Sequence, residues 1–174
     1  MIDELKNIEY VLFDLDGTVS DSSEGITKSA DKALKSEGID VPFETLTSFI
    51  GPALRVSFGR YTDDVEKRDR MLDVYRERYS EKGWCENKIY PGMAELLRDL
   101  QKSGKHVVLA SAKPEYFCRK IIKYFGVEQY FDFIGGSDME GKRDDKTVLL
   151  TYVLDNIGNP PSDKIVMIGD RKFD

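Results

Sequence analysis

The sequence predicts an α/β protein with a parallel sheet and a helical domain inserted after the first strand. Short runs rich in β-branched and aromatic residues alternate with segments of helical periodicity, which is the order expected of parallel strands joined by helices. The stretch between the first two runs is about seventy residues long and carries helical patterns without a convincing strand. We therefore predict a sheet-forming core at 1–19 and 88–174, with an inserted helical domain at 20–87.

Four runs are predicted to be the strands of the core, and three of them are almost continuously apolar, as strands covered on both faces should be. The four runs lie at 10–14, 106–110, 131–135 and 164–168. Between the later strands, helices are predicted at 116–125 and 147–157. An earlier helix has one apolar face at helical spacing, formed by Met93, Leu96, Leu97 and Leu100.

The inserted segment carries two helical faces of its own. The first ends before Gly38, a residue type that commonly follows a helix, and consists of Ile26, Ala30, Ala33 and Leu34. A longer helix follows the breaker Gly51-Pro52, and its apolar side is predicted to be formed by Val65, Leu72, Tyr75 and Tyr79.

Charge and composition exclude several classes of partner. The formal net charge of −6 and the pI near 5.0 argue against nucleic acid and anionic membranes, because both attract a basic surface. The N-terminal segment lacks the apolar core of a signal peptide, and no apolar run approaches the ~18 residues of a membrane span. We expect a cytoplasmic protein, a monomer or homodimer that binds a small molecule. Cys85 and Cys118 fit no metal-binding spacing and are expected to be reduced thiols.

The first predicted strand ends in two carboxylates, and these carry the functional hypothesis. Residues two apart on a strand face the same side, so Asp14 and Asp16 should project together while Leu15 points away. In an open parallel sheet, ligands bind outside the carboxyl ends of the strands. Two close carboxylates repel each other unless a proton or a cation intervenes, and Mg²⁺ prefers such oxygen ligands together with substrate phosphate.

This arrangement suits phosphoryl transfer. One carboxylate can act as a nucleophile and form an aspartyl-phosphate, while its neighbour protonates the leaving oxygen and later accepts a proton from water. Gly17 is expected to leave room and backbone N–H groups near the phosphate, and Thr18 to help fix the turn. A polar strand end followed by an ordinary turn is the alternative interpretation of the same residues.

The residues also carry a family resemblance. Residues 14–18, DLDGT, resemble the first motif of the haloacid dehalogenase superfamily, and FDLDGTVSDSSEGI is similar to the opening of its phosphoglycolate phosphatase-like members. Three further matches follow in the order of the family: LASAKP with Ser111, RDDK with Lys146, and IGDRKFD with Asp170 and Asp174. The resemblance spans nearly the whole chain and implies a Rossmann-like core with a helical cap.

The resemblance implies a metal site and a phosphate site. The metal site would take a side-chain oxygen and a backbone carbonyl from Asp14 and Asp16, and a second side chain from Asp170. Asp174 would orient a metal-bound water or the lysine in the same site. Lys146 would clamp the phosphoryl group, although Lys113 could be the clamp or could contact the substrate or cap.

The remaining candidates are substrate contacts, and two of them have structural alternatives. Ser111 can donate a hydrogen bond to a phosphoryl oxygen, but a serine at a strand end is also a common helix cap. Ala112 lies between the two polar candidates of the second motif. Arg55, in the cap segment GPALRVSF, could reach an anionic leaving group or be a solvated helix residue.

The prediction is a Mg²⁺-dependent phosphatase that hydrolyses a small phosphomonoester, such as phosphoglycolate or a nucleoside monophosphate. A sugar-phosphate mutase of the same fold and a non-catalytic domain that binds phosphate or carries phospho-aspartate are the alternatives. Family members continue beyond the fourth motif, and the run 164–168 would be an exposed edge without a neighbour. The chain is therefore expected to be truncated at its C-terminal end.

Overall fold

The computed structural model describes residues 4–139, 142–143 and 145–171. The chain divides into two compact units. The sheet unit comprises Met1–Ser20 and Ile89–Asp174, and the helical unit comprises Asp21–Lys88. The predicted α/β class, with a parallel sheet and an inserted helical domain, is confirmed. No helix among the described residues is both long and apolar enough to cross a lipid bilayer.

The sheet unit is built on four parallel strands in the order β5-β4-β1-β6. These strands are β1 (Tyr10–Phe13), β4 (His106–Pro114), β5 (Phe133–Ser137) and β6 (Ile165–Ile168), while a separate two-stranded pair consists of β2 (Ser20–Asp21) and β3 (Lys88–Ile89). Phe13 is level with Leu109 on one side and with Ile168 on the other. The residues that follow these positions therefore meet at one edge of the sheet, which we call the carboxyl edge.

Three helices accompany the sheet: α4 (Met93–Lys102), α5 (Glu115–Tyr124) and α6 (Lys146–Asn156). On one face of the sheet, Leu12 and Val108 pack against Leu149 and Val153 of α6 in a buried apolar cluster. Burial of each such side chain contributes about 1.5–3 kcal/mol, so this packing holds α6 at a fixed place along the strands.

The helical unit contains α1 (Ser23–Ser36), α2 (Leu54–Phe58) and α3 (Val65–Arg78), with a 3₁₀ helix at Phe43–Phe49 and a π turn at Tyr79–Gly83. All members of the predicted first face are buried: Ile26, Ala30, Ala33 and Leu34. On α3, the buried side begins only at Met71 and Leu72. Val65, which was predicted to share the apolar side of this helix, is its first residue; it precedes the packed part and is 56% exposed.

Two further details of the sequence prediction are wrong. Leu96 is 43% exposed, because α4 buries a stripe narrower than the predicted one, with Leu97 fully buried. The third strand begins at Phe133 rather than at 131, because a 3₁₀ turn at Glu128–Tyr130 ends at Phe131.

Candidate active site

The chain leaves β1 in a tight loop around one carbonyl group. The oxygen of Leu15 accepts hydrogen bonds from the backbone N–H groups of Thr18, Val19 and Ser20, at 3.3, 3.0 and 3.0 Å. The Leu15 side chain is fully buried, whereas Asp14 and Asp16 each retain 7% exposure. The structure thus buries both carboxylates almost completely at the carboxyl edge of the sheet.

Gly17 has a different role from the predicted one. Its N–H donates to the Ser20 carbonyl at 2.9 Å, and the neighbouring Thr18 N–H is also used within the loop. The Gly17 N–H is therefore engaged inside the loop rather than free for the phosphate contact expected of it, while the Thr18 N–H helps to form the turn. Gly17 has a φ of +87°, and a β-carbon on it would lie 2.6 Å from Oδ2 of Asp170. Glycine is required here by the left-handed backbone and by the close approach of that carboxylate.

Lys113 binds Asp16 directly. Its Nζ lies 2.7 Å from Oδ2 of Asp16, and the two side chains are only 7% and 9% exposed. The register between β4 and β5 is irregular between Ser111 and Pro114, so Ala112 and Lys113 lie in a bulge. Bulges next to sites commonly redirect a side chain, and this one accompanies a lysine that meets the carboxylate on the neighbouring strand end.

Lys146 lies beside Asp14, with 3.5 Å between its Nζ and Oδ1 of the carboxylate. The ammonium group also donates to the Ala110 carbonyl at 3.2 Å. Asp145 caps α6 by accepting hydrogen bonds from the backbone N–H groups of Thr147 and Val148. The cap makes Lys146 the first helical residue, where the helix dipole opposes a cation. A lysine at this position is therefore not explained by the stability of the helix. It is explained by the ion pair that it forms with Asp14.

Ser111 is almost completely buried, at 2% exposure, on the segment that carries Lys113. Its hydroxyl oxygen accepts a long hydrogen bond of 3.4 Å from the Lys113 backbone N–H. A hydroxyl group can donate while it accepts, so this contact leaves the Ser111 proton available for a phosphoryl oxygen.

Asp170 follows β6, the neighbour of β1. The Asp14 N–H donates to the Ile168 carbonyl at 2.9 Å, which joins the two strand ends. Oδ2 of Asp170 lies against Gly17 and accepts a 3.3 Å hydrogen bond from Nε of Arg171. Asp174, the other predicted acid of this motif, lies outside the described residues.

The oxygen donors at this edge of the sheet match what Mg²⁺ requires. Within the described ranges, no three His, Cys, Asp or Glu side chains form a group that could hold a metal ion on their own. Mg²⁺ commonly needs only one or two protein carboxylates, with substrate and water oxygens completing its shell. Oδ1 of Asp16 is buried and has no hydrogen-bond partner among the described residues. The chemistry of these oxygen donors is therefore compatible with Mg²⁺.

Arg55, the remaining sequence candidate, and His106, the single histidine of the sequence, each contact a carboxylate. Arg55 belongs to the helical unit, where its Nη1 lies 2.7 Å from Oδ1 of Asp69, and its side chain is 60% exposed. His106 begins β4, far along the strand from Ser111, where it stacks on Tyr10 and contacts Asp132 at 3.2 Å.

The pairing of Lys113 with Asp16 was not predicted from the sequence. The residues between Ser111 and Pro114 carry no bulge signature such as glycine, so the direction of Lys113 was left open. The lysine itself could have indicated the pair, because a cation that follows a buried strand so closely requires an anion nearby if it is buried too.

The family model for haloacid dehalogenase-like hydrolases matches residues 11–174. The tyrosine-protein kinase PtkA of Mycobacterium tuberculosis is 36% identical over 167 residues, which are 95% of this chain and 57% of that protein. A solved PtkA structure aligns with a TM-score of 0.84 and 35% identity, covering 95% of this chain and 76% of the other. The chain thus spans little more than half the length of this curated relative.

Two metabolic enzymes are also similar to the chain. A 5′-nucleotidase of Pseudomonas aeruginosa is 39% identical over 166 residues, which are 94% of this chain and 75% of that protein. A phosphoglycolate phosphatase of Aquifex aeolicus is 30% identical over 168 residues, which are 96% of this chain and 78% of that protein.

Proposed function

The chain belongs to the haloacid dehalogenase-like hydrolase family, and from this premise we propose that it is a Mg²⁺-dependent phosphatase of small phosphomonoesters. The observation that carries the proposal is the pairing of two buried carboxylates with two lysines at the carboxyl edge of the sheet. Asp14 lies beside Lys146, and Asp16 beside Lys113. The arrangement provides a nucleophile, a proton carrier and two cations for a phosphoryl group within one small space.

In the first step, a carboxylate oxygen of Asp14 attacks phosphorus and the bond from phosphorus to the ester oxygen breaks. The leaving oxygen takes a proton from Asp16, and the phosphoryl group remains on Asp14 as an acyl phosphate. Asp16 then accepts a proton from water, whose oxygen attacks phosphorus. The bond from phosphorus to the Asp14 oxygen breaks, which releases inorganic phosphate and restores the Asp14 carboxylate. Lys113 holds Oδ2 of Asp16, so the unpartnered Oδ1 is the oxygen that exchanges the proton.

The lysines and Ser111 bind the phosphoryl oxygens. Lys146 is anchored on the Ala110 carbonyl, so its ammonium group stays near the attacking oxygen of Asp14. A fixed cation in a largely water-excluded site stabilises the negative charge of the transition state. The buried hydroxyl of Ser111 adds a neutral donor whose proton is not used by the protein contact described above.

Mg²⁺ would be held by the side chains of Asp14 and Asp170 and by the backbone carbonyl of Asp16. When bound, the ion supplies positive charge that reduces the repulsion between the Asp14 carboxylate and an anionic phosphate. Gly17 serves this site through the space that it leaves for the Asp170 carboxylate.

The substrate class is a small phosphate ester, with a nucleoside monophosphate and phosphoglycolate as the first compounds to assay. The 5′-nucleotidase and phosphoglycolate phosphatase relatives support this choice. A sugar-phosphate mutase would give an isomerised sugar phosphate, whereas a phosphatase releases free phosphate. Product analysis therefore separates the two activities.

Phosphoryl transfer to a tyrosine hydroxyl is a second candidate, because the PtkA relative is 36% identical over 95% of the chain. The same acyl phosphate on Asp14 could be attacked by a phenol instead of water, provided that the donor is a phosphate compound such as ATP. Incubation with ATP and a tyrosine-containing peptide, followed by mass spectrometry, tests this candidate. Phosphotyrosine would support it, and release of phosphate alone would favour hydrolysis.

The central experiment measures phosphate release from an aryl phosphate, with and without Mg²⁺, in the protein and in the Asp14→Asn variant. Asp99→Asn is the matched control, because Asp99 is an exposed residue of α4 whose carboxylate contacts only its neighbour Arg98 among the described contacts. We expect turnover that requires Mg²⁺, is abolished by Asp14→Asn and is unaffected by Asp99→Asn. Turnover that persists in Asp14→Asn would overturn the mechanism.

A further inference from the structure

A hydrogen bond between Tyr152 and Glu115 joins α6, which begins with Lys146, to α5, which follows the bulge that carries Lys113. The Tyr152 hydroxyl of α6 donates to Oε2 of Glu115, the first residue of α5, at 3.1 Å. Oε1 of the same carboxylate accepts two hydrogen bonds from Arg119, at 3.0 and 2.9 Å. Glu115 is therefore fixed on its own helix through one oxygen and bound to α6 through the other.

Arg143, three residues before Lys146, contacts both Tyr152 and the end of β5. Its guanidinium group lies 4.1 Å from the centre of the Tyr152 ring, which is within the range of a cation–π contact. Its Nε donates to the Gly136 carbonyl of β5 at 3.3 Å. One arginine thus connects the loop that leads into α6 with the Tyr152 ring and with the end of β5.

The end of β5 presses directly against the backbone that carries Lys113. A β-carbon on Gly136 would lie 2.6 Å from the Lys113 carbonyl oxygen and 2.6 Å from the Glu115 nitrogen. Such a close approach leaves no room for either segment to move independently. The end of β5, the bulge with Lys113 and the start of α5 therefore form one packed unit.

We propose that Tyr152, Glu115 and Arg143 are positioning residues that fix the distance between Lys113 and Lys146, so that both ammonium groups reach one phosphoryl group. Lys113 lies two residues before Glu115, and Lys146 lies on the same helix as Tyr152. This inference rests on the proposed phosphatase function and adds three residues that do not touch the substrate themselves.

The chemistry of Tyr152 suits this role. A tyrosine hydroxyl is protonated at neutral pH in any case, and burial, followed by the hydrogen bond to Glu115, raises its pKa further, so Tyr152 stays a hydrogen-bond donor. Leu149 and Val153 on the same helix provide its apolar packing against the sheet. The hydroxyl of Tyr152 is therefore expected to affect the placement of the lysines more than the stability of the fold.

The test is Tyr152→Phe, which removes one oxygen and keeps the ring beneath Arg143. We expect the kcat/KM for an aryl phosphate to fall about fivefold, the factor of one hydrogen bond, with the inhibition constant of inorganic phosphate raised by a similar factor. The midpoint of thermal unfolding should fall by no more than about 2–4 °C, the shift expected from the loss of one hydrogen bond in a chain of this size. Tyr124→Phe is the matched control, because Tyr124 is the 57% exposed last residue of α5, about 13.5 Å along the helix from Glu115.

A double-mutant cycle separates positioning from general damage. If Tyr152 acts through Glu115, then Tyr152→Phe should cause little further loss in a Glu115→Ala background. Independent, multiplying losses would overturn the proposal, as would a Tyr152→Phe loss no larger than that of Tyr124→Phe. If the unmodified protein shows no turnover, the proposed function fails, and calorimetric binding of inorganic phosphate to the same variants decides the role of Tyr152.

Discussion

Replacing Gly17 by alanine should damage the site more than the fold. A β-carbon at this position would lie 2.6 Å from Oδ2 and 2.8 Å from Cγ of Asp170. The carboxylate oxygen would have to retreat by at least about 0.8 Å to reach the ordinary contact distance of 3.4 Å. Asp170 is exposed and can swing into solvent, so the clash is relieved by displacing a proposed metal ligand rather than by opening the core.

The cost in stability can be worked out from the backbone. Gly17 has a φ of +87°, and placing a β-carbon in the left-handed region costs about 1–2 kcal/mol. Gly38 provides the matched control, because its φ is +72° and no atom lies within 4 Å of its β-carbon position. We expect Gly17→Ala and Gly38→Ala to lower the free energy of unfolding by similar amounts.

Activity should separate the two variants. Displacement of a group that holds a metal typically costs about 10- to 100-fold in affinity or activity, so Gly17→Ala should lose that much kcat/KM and require more Mg²⁺. Gly38→Ala should keep the kcat/KM of the unmodified protein. Steady-state kinetics over a Mg²⁺ titration, with urea unfolding of each variant, measures both quantities. Equal kcat/KM and equal Mg²⁺ dependence in the two variants would refute the role assigned to Asp170.

Three further outcomes are expected. Glu86→Gln should lower the free energy of unfolding by about 2 kcal/mol at pH 7, because the hydrogen-bonded Arg78 lowers the pKa of Glu86 in the folded protein. Denaturation curves should show the difference in free energy between the two proteins shrinking as the pH falls below 4.5, where Glu86 takes up a proton. Lys113→Met should lower kcat/KM at least about tenfold while leaving secondary structure unchanged by circular dichroism. Buried Cys118, whose pKa is raised by burial, should resist a thiol reagent that modifies the partly exposed Cys85, until the protein unfolds.

Much of the sheet unit could be predicted from local patterns. Runs rich in β-branched and aromatic residues located all four strands, and three of these runs are almost continuously apolar because strands covered on both faces have few polar positions. Strand alternation also predicts that Asp14 and Asp16 face one side of the chain, and in the structure Leu15 is fully buried while both carboxylates are nearly so. The family resemblance is confirmed by the match to residues 11–174.

Contacts between distant segments could not be predicted in the same way. Gly17 was expected to present N–H groups, but its freedom from a β-carbon is used by Asp170, more than 150 residues later. The direction of Lys113 depends on a bulge whose register is set by pairing with β5. Neither relation leaves a periodic signal in the sequence, because both depend on which segments the sheet places side by side.

The positions of the proposed catalytic residues and a contact between Arg55 and a substrate depend on different kinds of interaction. Asp14, Ser111 and Asp170 are located by the ends of hydrogen-bonded strands, which have one register. Arg55, by contrast, is held by a single exposed ion pair with Asp69, and such a pair is worth only about 0–1 kcal/mol. An anionic ligand can therefore take Arg55 from Asp69 at little cost. A substrate contact through Arg55 would therefore rest on an exchangeable ion pair, whereas the proposed catalytic groups rest on the register of the strands.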